Sequence, residues 1–184
     1  MSPVAAMKKP DGFQDLLRRT LPALVFVSPE KVPQPFRQLL HHGEDMTRTL
    51  ERWHRQPIHL RTLDMINLDP YLYRQVLLRT ADNRTVEFGA IRIHLAHFKG
   101  EALERVLGCH QPLGGILHEF AIPFRSRLQG LLEVRGDERV GKILSIKQPG
   151  TLYGRQNALE TPEGQLIAEV VEILPPDQNP MSLA

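Results

Sequence analysis

The sequence predicts an α+β fold, an antiparallel sheet of about six strands with short helices gathered on one face. Three observations predict it. From Ile58 onward, runs rich in Val, Ile, Leu and Thr alternate with turn-forming residues at hairpin spacing. Segments with helical spacing of apolar residues are short and fall in the N-terminal half and the middle of the chain. The composition, 184 residues with 41% hydrophobic and 24% charged, is that of an ordinary soluble globular protein long enough for one domain with a real core.

Taken in order, residues 1–11 read as loose, and Phe13, Leu16 and Leu17 form the apolar side of a short helix ending before Pro22. Ala23 to Val27 is a brief apolar run between prolines, too short to assign. Pro33 and Pro35 open a short helical piece over Phe36 to His41, since proline is tolerated in a first helical turn. The segment from His42 to Trp53 is a stronger helix, with Glu44 and Asp45 near its start and Met46, Leu50 and Trp53 on one face. Ile58 to Ile66 alternates as a strand, and Asp69-Pro70 marks a turn.

Leu72 to Leu95 reads as a long hairpin around Asp82-Asn83-Arg84, with Gly89 in its return strand marking a bulge or a close approach. Gly100 to Leu107 is a short helix stopped by Gly108. Gln111 to His118, with Gly114 and Gly115, is a stretch whose backbone can pass close to a ligand or a strand. Leu128 to Val134 and Lys142 to Ile146 read as strands around Arg135-Gly136-Asp137. A final hairpin joins Gly150 to Leu159 with Gln165 to Leu174 through Thr161-Pro162-Glu163-Gly164. The organisation expected is a partly helical N-terminal extension (1–32), one domain (33–175) and a flexible tail (176–184).

Two features of these strands point to a site. Arg74 shares its side of the strand with Val76 and Leu78, so a cation turned inward there must be paired or offered to an anion, unless the sheet simply exposes it to solvent. A ligand carboxylate is the natural partner, because the planar guanidinium matches it with two parallel hydrogen bonds. The last strand is apolar on both faces yet carries Glu169 and Glu172, which fall on opposite sides, and a carboxylate in such a strand is a candidate proton donor.

Other classes find less support. The net charge is +2, from 23 Lys and Arg against 21 Asp and Glu, which gives no basic footprint for nucleic acid. The single cysteine, Cys109, rules out an internal disulfide and a cysteine-built zinc site and reads as structural. No metal site is expected, since His94 and His97 lie at a strand end and need not share a face. No apolar run is long enough for a signal or a membrane span, so a cytoplasmic location is the default expectation.

Four motifs in order resemble the chorismate lyase family, which makes 4-hydroxybenzoate and pyruvate from chorismate: Glu44-Asp45-Met46-Thr47-Arg48, Tyr73-Arg74-Gln75-Val76-Leu77-Leu78, Pro112-Leu113-Gly114, and Tyr153-Gly154-Arg155-Gln156 with the hairpin to Glu169-Val170-Val171-Glu172-Ile173-Leu174-Pro175. The resemblance covers about Pro33 to Pro175. It implies a chorismate lyase-like fold and a cofactor-independent carbon–oxygen lyase supplying a quinone or related aromatic pathway. By motif, Arg74 would hold the ring carboxylate, Met46 and Leu113 with Gly114 would wall the ring, and Arg155 would meet the second carboxylate or sit at the surface. The family's catalytic glutamate falls, without a gap, on Val171, so Glu172 or Glu169 would take its role. The alternative is a non-catalytic sensor of small aromatic acids, because the same fold serves as the effector domain of bacterial transcription regulators. The roughly 30 residues before the shared region are too few for a preceding helix-turn-helix domain.

Overall fold

The computed structural model describes residues 20–178 together with Phe13, Leu17 and Arg18. Seven strands form one sheet: β1 (Leu24–Val27), β2 (Ile58–Leu68), β3 (Tyr71–Thr80), β4 (Thr85–His94), β5 (Arg125–Arg135), β6 (Thr151–Glu160) and β7 (Leu166–Leu174). Their order is β1-β5-β6-β7-β4-β3-β2, and each pairing is antiparallel. Among the described residues the α-helices with full bounds are α1 (Phe36–Leu40), α2 (Met46–His54), α3 (Gly100–Gly108), α4 (Leu113–Glu119) and α5 (Glu138–Leu144). The α+β antiparallel architecture is as the sequence predicts.

The turns show why the hairpins close where they do. Between β3 and β4, Asn83 takes a left-handed φ of 71° and its amide donates to the Thr80 carbonyl at 2.8 Å, a conformation asparagine tolerates well. Between β6 and β7, Gly164 supplies φ +85° and donates to the Thr161 carbonyl at 2.9 Å.

Three details differ from expectation. The unassigned run at 24–27 is a strand, the seventh, so part of the expected extension 1–32 belongs to the sheet. The expected strand Lys142 to Ile146 is replaced by α5. Asp137 caps that helix by accepting from the Val140 amide at 3.0 Å, and Val140, Ile143 and Leu144 recur at helical rather than alternating spacing. The helices lie on both faces. Val140 and Leu144 pack with Phe13, Leu17, Tyr73, Leu77, Phe88, Val171 and Ile173 on the rear face; α1 to α4 cover the front through two further apolar clusters.

The described start of the tail is held rather than loose. Gln178 is buried, and its side-chain amide donates to the Val86 and Pro175 carbonyls, each at 3.1 Å. Leu16, the loose stretch 1–11 and residues 179–184 lie outside the described residues.

Candidate functional site

The front clusters do not meet. Between the start of α2 on one side and the start of α4 on the other, the sheet floor is open to a cavity of about 80 Å³, room for roughly six water molecules and hence for a compact organic acid.

The floor is a grid fixed by strand register. One row runs Arg74, Ile91, Val170, Asn157 across β3, β4, β7 and β6; the next runs Val76, Gly89, Glu172, Arg155. A third begins with Leu78 opposite Glu87. These residues all line the cavity. Gly89 sits at its centre, and a β-carbon there would come within 3.2 Å of Val76 Cγ2 and 3.3 Å of Glu87 Oε1. The missing side chain leaves a flat bed.

Arg74 is 2% exposed. One guanidinium nitrogen donates to the Gln111 carbonyl, in the connection between α3 and α4, at 3.2 Å. Its Nε has no partner, and among the described residues no carboxylate lies within ion-pair distance of it. Burial pushes the guanidinium below its ordinary pKa, yet an arginine stays charged at physiological pH.

Arg155, 1% exposed, is the opposite case. Its Nε pairs with Glu172 across the β6–β7 ladder, and its other nitrogens donate to the carbonyls of His42 at 3.0 Å and Glu44 at 3.1 Å. All three nitrogens are committed. The guanidinium thereby fastens the loop before α2 to the sheet, and His42 completes the junction: its Nε2 lies 2.6 Å from the Leu39 carbonyl and its Nδ1 faces Arg155 at 3.3 Å. Burial first, then the Arg155 charge, depresses the His42 pKa, so the ring is held neutral with Nδ1 as acceptor.

The two glutamates weighed from sequence part company. Glu172 faces the cavity, locked to Arg155. Glu169 lies on the other face of β7, paired with Arg92, and does not reach the cavity. Met46 opens α2 as a wall, and Leu113 and Gly114 open α4 as the facing wall. Pro112-Leu113-Gly114 is therefore the entry to a helix. Gly114 is required there, because a β-carbon would overlap the carboxylate of Asp45. That carboxylate also caps α2 by accepting from the Arg48 amide at 2.9 Å.

Sequence reasoning missed Glu87. Its side chain is 3% exposed, its Oε2 has no partner, and it lines the cavity. Burial foremost, then the negative charge of Glu172, pushes its carboxyl well above the ordinary carboxylate range. A lone carboxylate in the apolar run Val86 to Ile91, in step with Gly89, was the available signal. Asn157 was missed too: its amide donates to Ser126 Oγ at 2.7 Å while its Oδ1 is buried without a partner. Among the described residues no three His, Cys, Asp or Glu side chains group to hold a metal, and no helix is long and apolar enough to cross a membrane.

No family model matches the sequence, and no curated protein does. The fold is similar to solved structures. PhnF from Mycobacterium smegmatis superposes with a TM-score of 0.59 at 10% identity, covering 74% of this chain and 65% of that one. The isolated effector domain of PhnF gives 0.55 at 9% identity, covering 73% and 90%. The ligand-binding domain of a GntR-family transcriptional regulator from Bordetella bronchiseptica gives 0.52 at 14% identity, covering 65% and 86%. The chain thus spans less than two thirds of full-length PhnF. These likenesses carry the fold, which is consistent with the chorismate lyase-like fold. They overturn the lyase expectation, because the similar solved structures include an effector domain, the ligand-binding domain of a putative GntR-family transcriptional regulator and a possible transcriptional regulator. Chorismate as substrate, pyruvate as product and a place in quinone supply fall with it.

Proposed function

We propose that this chain is a non-catalytic binding domain for a small organic acid, with Arg74 anchoring the ligand's carboxylate and Met46, Leu113 and Gly114 walling the rest. The observation that carries this reading is the buried guanidinium itself. A cation removed from water costs several kcal/mol, roughly, unless an anion compensates it, and Arg74, beside an open cavity, meets the Gln111 carbonyl and the Cys109 thiol but no carboxylate among the described residues. The Arg155–Glu172 pair is the rigid back of the cavity rather than a second anion site, since its charges satisfy each other. The regulator domains of similar fold favour a sensing role over a catalytic one.

Isothermal titration of the full chain with 4-hydroxybenzoate tests the reading. The expected result is saturable one-to-one binding that is lost in Arg74→Ala. Equal affinity in the folded variant would show that the acid is held elsewhere, and no binding of 4-hydroxybenzoate or benzoate to the wild type would end the proposal.

A further inference from the structure

The cavity floor carries a second unpartnered polar group of the opposite character to Arg74. The β3–β4 register places Arg74 opposite Ile91 and Leu78 opposite Glu87, four residues further along the ladder. At the strand rise this is about 14 Å between the two Cα positions. Both side chains line the cavity, so a ligand that meets Arg74 with one group can meet Glu87 with another. The bed between them is flattened by Gly89.

Resting on the carboxylate-binding reading, we infer that Glu87 is the specificity residue of this cavity. In its neutral form it donates a hydrogen bond from Oε2 to an uncharged oxygen of the ligand, so the ligand is a small carboxylic acid with a second oxygen remote from its carboxylate.

The surroundings of Glu87 support the neutral form. On the side of β7 stands Glu172, whose charge is met by Arg155 from β6; from the start of α2 stands Asp45. Two of these three facing groups are anionic, and the nearest cation is already paired. With burial they favour a protonated Glu87, and a protonated carboxyl has one O–H to give. Leaving that donor unmatched in a dry site is costly, whereas a ligand hydroxyl or carbonyl oxygen satisfies it. A site built to hydrogen-bond an oxygen rejects the analogue lacking it far more strongly than an apolar pocket rejects a missing methylene.

The test compares benzoate with 4-hydroxybenzoate on wild type, Glu87→Gln and Glu87→Leu by titration calorimetry, with infrared spectra of the unliganded proteins. Wild type is expected to prefer the hydroxylated acid at least tenfold. The ratio should persist in Glu87→Gln, whose amide still donates, and fall to near one in Glu87→Leu. A protonated-carboxyl C=O band should be present in wild type at neutral pH and absent in Glu87→Gln. A preference that survives in Glu87→Leu, equal binding of the two acids by wild type, or no such band would each overturn the assignment of Glu87 while leaving the Arg74 anchor standing. Failure of both acids to bind wild type would fell the anchor and this inference together.

Discussion

Replacing Arg74 with methionine should make the unliganded protein more stable while destroying its affinity. The side chain is 2% exposed, makes one hydrogen bond to Gln111 and leaves Nε unsatisfied. Exchanging a buried ion for an apolar side chain of similar length commonly gains about 1–4 kcal/mol, and the hydrogen bond given up at Gln111 returns about 1 kcal/mol of that. The net gain expected is about 0–3 kcal/mol. For a domain of this size that is a rise of up to roughly 12 °C in Tm. In the complex the sign reverses, because the ligand carboxylate would be buried without its partner at a cost of about 3–5 kcal/mol, two to three orders of magnitude or so in Kd. Thermal unfolding followed by circular dichroism, with and without saturating 4-hydroxybenzoate, reads both effects. The wild type should gain stability from the ligand and Arg74→Met should not. A variant that melts several degrees lower and still responds to ligand would refute the reasoning and make Arg74 a structural residue.

Further outcomes follow from the same geometry. Gly114→Ala should displace the Asp45 carboxylate from its cap on α2, costing about 1 kcal/mol, visible as a lower urea midpoint and a weakened titration. Glu169→Gln, on the far face, should leave ligand affinity within twofold and change stability by no more than about 1 kcal/mol, since its pair with Arg92 is partly exposed. Stability should fall as pH drops below about 6.5, the ordinary histidine value. His42 and His54 both have folded-state values depressed, by burial first, so the unfolded chain takes up their protons before the native state does. Denaturant titrations across that range should show His42→Gln flattening the slope by up to about 1.4 kcal/mol per pH unit.

The sheet was legible because its strands punctuate themselves: the apolar runs at 72–80 and 166–174 are bounded by Asp82-Asn83 and Pro162-Glu163-Gly164, turn chemistry that acts locally. The 142–146 error has an equally local cause. Five apolar-leaning residues fit either period, and the cap at Asp137 that decided for a helix had been read as a turn. That Arg74 shares a side with Val76 and Leu78, and that Glu169 and Glu172 part, followed from alternation alone, since a period of two survives any packing. What alternation does not carry is partnership. That Arg155 is consumed by Glu172, His42 and Glu44 depends on a loop more than a hundred residues away in sequence closing over β6. Nor does alternation alone mark Glu87, whose burial depends on the α2 entry and on Glu172 of the neighbouring β7 closing around it.

The charges of the cavity explain why Glu87 matters more than a spare acid would. Arg74 and Arg155 are set against Glu172 and Asp45, and Glu44, which also lines the cavity, is met by Arg52, so with Glu87 neutral the empty site balances. A ligand carboxylate then adds one negative charge beside Arg74. If Glu87 were ionised, the same ligand would enter a site already in excess of negative charge, with Glu172 the adjacent carboxylate and burial denying it solvent screening. Four carboxyl groups line the cavity, Glu44 met by Arg52 and Glu172 by Arg155, and a Glu87 that keeps its proton leaves room for an added anion. Binding and protonation are therefore linked: the ligand favours protonated Glu87, and protonated Glu87 favours the ligand by the same factor.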